Sequence, residues 1–324
     1  MILGNGIRAG SSLTALFLVA LAAFAQVASD ATQQGNKLLE ESKPAEAVAL
    51  FQRALSENPR DADALRGMGK AQEWLGHFPE AVASYRQAVA VEPNDAGTWF
   101  ALGRVQSWQG ERETAYESFE KALLLNPNNL EIELAYAEVL SWNPSRRQES
   151  LSRYQRILQQ WPESVSAQLG LAQAQAWSGL TSQAEQTYDT VLRQESNNPQ
   201  ALLGKSQIAR WEMRLFTAHD LLLQAIRAAP SNPQVLRALA ETEIDLGQYD
   251  LARERANQLA GLAPDDSQQV EEQIRQAQRP FFETGYQLRR DRKSPIQTRL
   301  SWDAFQSVLS VPVTSRMRWR FAFR

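Results

Sequence analysis

AGTWFALGRVQSWQGERETAYESFEKALLLNPNN, residues 96–129, is one full period of a pattern that runs through most of the chain. Counted from Ala96, index 8 is Gly103, index 20 Ala115, index 24 Phe119 and index 27 Ala122, with Gly110 between the two halves and Pro127 near the end. Working outward, prolines 59, 93, 127, 162, 230 and 264 recur at 34, 34, 35, 68 and 34 residues, and Ser196 occupies the site the double interval skips. The register gives seven repeats: 28–61, 62–95, 96–129, 130–164, 165–198, 199–232 and 233–266, the fourth with one extra residue in NPSRRQ. Index 8 is always small (Gly35, Gly69, Gly103, Ala137, Ala172, Ser206, Ala240), and so is index 20 (Ala47, Ala81, Ala115, Ser150, Ala184, Ala218, Ala252). Indices 4, 8 and 11 share one face of a first helix, and 20, 24 and 27 one face of a second, because side chains three and four apart stack along a helix.

Small residues at 8 and 20 let the two backbones approach. Gly76, Gly110, Gly179 and Gly247 mark the turn between helices, and strings such as EPNDA (92–96) stop one helix and cap the next. One such pair cannot bury its apolar face alone, so the repeats are expected to stack on their neighbours. These residues and their period resemble the tetratricopeptide repeat. The resemblance implies an all-α superhelical solenoid of seven helix-turn-helix repeats with a concave groove. Residues 267–279 read as a capping helix.

Five of the nine tryptophans occupy a single repeat position, index 13: Trp74, Trp108, Trp142, Trp177 and Trp211. Index 13 lies about 180° around the first helix from index 4, away from the repeat's own second helix. Two readings stand. The indoles pack between repeats, a neighbour's ring filling the space over the small index-6 residues Gly67, Ala101, Ala135, Gly170 and Gly204. Alternatively they line the groove as candidate ligand-binding residues, suited to an extended peptide or to the C–H faces of sugars.

The two ends differ from the body. Arg8, an apolar run over 13–25 and Ala23-Phe24-Ala25 form the three-part pattern of a signal peptide over residues 1–25. The run is shorter than the roughly 20 residues of a membrane span. An exported, periplasmic mature chain is expected. After Pro280 the period falls to two, as Ile296, Thr298, Leu300, Trp302 and Ala304 alternate with polar neighbours. Residues 280–324 therefore read as a short C-terminal β segment: the first strands of an outer-membrane barrel, or a small sheet folding back on the capping helix. SWQG (107–110), FETGYQLRRDR (282–292) and TRLSWDAF (298–305) resemble the YaiO-like group and, more broadly, outer-membrane proteins of exopolysaccharide secretion. That resemblance implies periplasmic repeats before a porin of which this chain holds only the first strands, and outer-membrane association through 280–324.

Composition narrows the function. Apolar residues make up 43% and charged residues 22%, as in soluble domains. There is no cysteine, which excludes thiol chemistry and cysteine metal sites, and only His77 and His219 are present. Residues 26–279 hold 24 basic against 34 acidic residues, which disfavours a nucleic-acid partner. Asp61, Asp63, Asp265 and Asp266 sit at repeat boundaries, where helix capping accounts for them. No catalytic, cofactor or metal residue stands out, and no enzyme is expected. The leading expectation is a periplasmic scaffold binding protein partners of the cell envelope through the groove. The second is a guide for an extended polysaccharide.

Overall fold

The computed structural model describes residues 30–278 and, for the backbone alone, three short stretches beyond them. Fifteen α-helices fill 30–278, and the fold is an all-α solenoid of helix pairs. The chain divides into two compact units, Met1–Gly170 and Leu171–Arg324. Helices α1 (30–40), α2 (Pro44–Glu57), α3 (Ala62–Trp74), α4 (Phe78–Val91), α5 (Ala96–Gln109), α6 (Arg112–Leu125), α7 (Leu130–Ser141) and α8 (Arg147–Gln160) belong to the first. The boundary falls within α9 (Val165–Trp177). Helices α10 (Thr181–Gln194), α11 (Pro199–Trp211), α12 (Leu215–Ala228), α13 (Pro233–Asp245), α14 (Tyr249–Ala260) and α15 (Pro264–Gln278) belong to the second. The segment expected to be a signal peptide, 1–25, lies outside the described residues. Of 280–324 only the backbone of Phe281–Tyr286, Phe305–Thr314 and Met317–Ala322 is described, in extended antiparallel pairing.

Within a unit, each first helix packs on the second helix of its own repeat, as α5 on α6 and α11 on α12. Each second helix packs on the next repeat's first, as α4 on α5 and α12 on α13. The seven index-20 residues are fully buried. In the fourth repeat Ser150 Oγ donates to the Ala137 carbonyl at 2.7 Å, so indices 20 and 8 do bring the backbones together. A β-carbon on Gly103 would stand 3.2 Å from the Ala115 carbonyl oxygen. Index 34 supplies the caps. Asp61, Asp95, Asn129, Asn198 and Asn232 each accept a backbone N–H from the first turn of the helix that follows, satisfying donors the helix itself leaves open.

The turn at index 15 requires a left-handed residue. Gly110 takes it at φ 86° without steric cost, while Ser42 and Met213 hold the same position at φ 59° and 58° with side chains attached. In the fourth repeat the inserted residue is absorbed by a 3₁₀ turn, Pro144–Arg146. The closing helix α15 starts at Pro264, three residues before the expected 267. It is more than a solvated cap, because Val270 and Ile274 are fully buried against the core of the last repeat.

A buried or partly buried polar pair, not foreseen from the sequence, joins the two helices of several repeats at indices 11 and 23. Ser84 Oγ donates to Gln72 Oε1 at 2.7 Å, Ser118 Oγ to Gln106 Oε1 at 2.7 Å, and Thr187 Oγ1 to Gln175 Oε1 at 2.8 Å. In the last repeat the same positions hold Glu243 and Arg255, 3.5 Å apart, with His219 Nε2 3.6 Å from the same carboxylate oxygen. Glu243 is fully buried, and neither of its oxygens accepts a hydrogen bond. Burial pushes its carboxyl up to about 7, only partly opposed by the Arg255 charge.

Candidate functional site

The five index-13 tryptophans all sit at the C-terminal end of a first helix. Trp74, Trp177 and Trp211 are the last residues of α3, α9 and α11, Trp108 is the penultimate residue of α5, and Trp142 caps α7. Trp74, Trp108 and Trp211 are 47%, 46% and 54% exposed, whereas Trp142 and Trp177 are half-buried. Cations stand over two of the rings: Lys70 Nζ lies 5.4 Å from the Trp74 centroid, and Arg104 Cζ 5.3 Å from that of Trp108. Phe78 tilts against Trp108 at 5.7 Å between centroids. Trp142 leans on the cluster of Tyr116, Phe119 and Tyr136.

The space over index 6 is not filled by a neighbour's indole. It is taken by the index-24 ring of the preceding repeat. A β-carbon on Gly67 would meet Phe51 Cζ at 2.3 Å, one on Gly170 would meet Tyr154 Cζ at 2.4 Å, and one on Gly204 would meet Tyr188 Cζ at 2.2 Å. Phe51 is fully buried, and Tyr154 and Tyr188 nearly so. The physical reason is direction: index 24 points from the second helix toward the next first helix, so it reaches index 6, while index 13 leaves the first helix near the turn. At these three repeats the space over index 6 is thus closed without an indole.

The second unit also holds an open cleft of about 590 Å³ across consecutive first helices. Gln200, Gln207 and Arg210 of α11 and Gln234, Arg237 and Glu241 of α13 line it, at indices 2, 5, 9 and 12. Its floor is an ion network. Arg210 reaches Glu241 at 2.7 Å and Asp245 at 2.9 Å, and Arg237 reaches Glu241 at 3.0 Å and Asp266 at 2.8 Å. Asp266, expected only as a capping residue, thus ties α15 to α13. In the first unit the same inter-repeat positions carry the opposite signs. Arg104 of α5 donates to Glu73 of α3 at 2.6 Å, and Glu73 also accepts from Tyr85 Oη at 3.0 Å. Burial beside Glu73 raises the Tyr85 hydroxyl well above its usual range. Sequence reasoning missed these groups because no single helix face displays them, although their spacing of about one repeat was a usable signal.

Among the described residues no cluster of His, Asp and Glu is arranged to hold a metal ion, and no helix is long and apolar enough to cross a membrane. His77 stands at the N-cap position of α4 without a side-chain capping bond, and His219 Nε2 lies 3.6 Å from a Glu243 carboxylate oxygen.

Paired helices of this period, with small residues at 8 and 20 and first-helix side chains open to solvent, define a repeat scaffold of the tetratricopeptide class. The chain is a tetratricopeptide-repeat protein: tetratricopeptide family models match residues 38–104 and 217–267, and residues 84–202 match the model described as the cytochrome c-type biogenesis protein H TPR domain. A solved tetratricopeptide repeat protein from Parabacteroides merdae superposes with a TM-score of 0.70 at 14% identity, covering 78% of this chain and all of that one. Yeast Tom70 superposes with a TM-score of 0.57 at 17% identity, covering 79% of this chain and 55% of that one. At these identities the likeness is one of fold. No curated protein matches the chain.

Proposed function

We propose that the chain is a non-enzymatic scaffold that holds an extended stretch of a partner protein against the first-helix faces of its repeats. The observation that carries this is the open cleft of the second unit, built from indices 2, 5, 9 and 12 of successive first helices, each of which is capped by an asparagine side chain. A photo-crosslinking side chain at Gln207, inside the cleft, is expected to trap polypeptide partners in cells. The same group at Gln224, exposed on the second helix α12, is expected to trap none of them. Equal labelling at both positions, or none at Gln207, would sink the scaffold reading.

A second reading, guidance of a secreted polysaccharide, is favoured by one observation: Trp74, Trp108 and Trp211 leave about half of each indole open, and aromatic faces stack on sugar rings. Quenching of tryptophan fluorescence by neutral oligosaccharides, lost in Trp108→Ala, is its signature. In either case the apolar run over 13–25 and Ala23-Phe24-Ala25 support export to the periplasm. The alternating segment after Pro280, with its likeness to the YaiO-like group, supports attachment to the outer membrane as the start of a barrel. Fractionation of the tagged chain with sequencing of its mature N-terminus tests the address; a cytoplasmic, uncleaved chain refutes it.

A further inference from the structure

The charges on the cleft floor are spoken for. Glu241 sits between two arginines, one oxygen on Arg210 and the other on Arg237, and each arginine has a second carboxylate, Asp245 or Asp266. The two arginines are only 25% and 40% exposed, and Glu241 22%. No cation is left to greet a carboxylate terminus or a phosphorylated side chain, and the three carboxylates outnumber the two arginines, which repels acidic ligands. The walls differ. Gln200, Gln207 and Gln234 make no side-chain hydrogen bond among the described residues, and Gln200 and Gln234 are exposed. A free carboxamide offers a donor and an acceptor together. That is the complement of a main-chain N–H and C=O left open when a polypeptide lies extended.

We infer that the cleft of α11 and α13 reads the main chain of an uncharged, extended polypeptide segment through Gln200, Gln207 and Gln234, and that Glu241 sets this preference by keeping Arg210 and Arg237 from acidic ligands. The inference rests on the scaffold reading above and narrows it to a partner class. Glu241 is the specificity-determining residue. Replacing it by glutamine leaves each arginine with a single carboxylate and turns part of both guanidinium groups toward the ligand.

The test is selection of a random peptide library on the full chain and on three variants, Glu241→Gln, Gln207→Ala and Gln234→Ala, each checked for an unchanged helical spectrum. The wild-type chain is expected to select peptides of near-zero net charge, with affinities that change less than about twofold between low and physiological salt, since no exposed charge pair forms. Gln207→Ala and Gln234→Ala weaken those peptides several-fold. Glu241→Gln shifts selection to acidic peptides, which gain about tenfold, or about 1.4 kcal/mol, and become salt-sensitive. Selection of strongly acidic or basic peptides by the wild-type chain, or indifference to both glutamine variants, overturns the inference while leaving a peptide-binding scaffold in place. Failure to select any peptide, with binding of a neutral oligosaccharide instead, overturns the scaffold reading along with it.

Discussion

Replacing Glu243 by glutamine should make the last repeat more stable, by an amount that depends on pH. The carboxyl is fully buried, and its proton is held up to about pH 7 against an ordinary 4.5. A raised acid binds its proton more tightly in the folded chain, so folding is favoured while the proton stays on. Below about 4.5 both states are protonated and the burial of charge costs nothing. As pH rises toward 7 the unfolded carboxyl ionises freely while the folded one resists, and the cost grows until both are ionised above 7. A shift of this size is worth about 3 kcal/mol at its plateau. Glutamine keeps the shape and removes the charge, so the stability difference between variant and wild type should be smallest below about pH 4.5, where both states are protonated, and reach about 3 kcal/mol by pH 8. Stacked repeats unfold in part, so the assay is amide hydrogen exchange of α13 and α14 across that range, beside urea melts. A difference that stays flat, or one that shrinks as pH rises, would refute the claim that Glu243 is charged at a cost. It would show instead that Arg255 and His219 repay its burial.

Three further outcomes follow from the geometry. Gly204→Ala should lower the melting temperature, because its new carbon meets Tyr188 Cζ at 2.2 Å and Oη at 2.3 Å; overpacking of about 1–3 kcal/mol exceeds the helix-propensity gain of about 1 kcal/mol. Gly261→Ala, with nothing within 4 Å, is the control, and equal melts would sink the assigned contact. Met213→Gly should raise stability by up to about 1 kcal/mol, since Met213 holds a left-handed turn at φ 58°; destabilisation in a urea melt would show that the exposed methionine packs on something. Tyr188→Ala should cost about 3–5 kcal/mol as a buried ring, and Trp211→Ala, 54% exposed, under about 2 kcal/mol; the reverse order in denaturation curves would return the indoles to the repeat core.

The features legible in the sequence were those a single residue dictates to its own stretch of chain. Gly110 announces a left-handed turn because few other residues accept it cheaply, and Asn198 announces a helix start because its side chain serves a donor three residues on. The period of small residues at 8 and 20 was legible because close backbone approach tolerates little else. Index 24 and index 6 were each conspicuous, but that Tyr188 fills the space over Gly204 depends on where one helix lies on the next. The same holds for Arg210 and Glu241, 31 residues apart, whose pairing decides the charge of the cleft. Glu243 was illegible for a different reason. A glutamate in a first helix normally reads as solvated, and only the recurrence of Gln72, Gln106 and Gln175 at its index marks the position as interior.

That recurrence sorts the repeats by interchangeability. The second, third and fifth repeats each close on an amide and a hydroxyl, so an exchange that set the α3 half of one against the α6 half of another would bring Gln72 to Ser118 and lose no partner. The last repeat closes on Glu243 and Arg255. Its halves are incompatible with those of the others, since a crossover between index 11 and index 23 would bury a carboxylate against a hydroxyl, or a guanidinium against an amide. Duplication and shuffling of this chain can therefore exchange halves among the second, third and fifth repeats, while the terminal one travels only as a unit, and a designer extending the array should insert copies of those three ahead of α13.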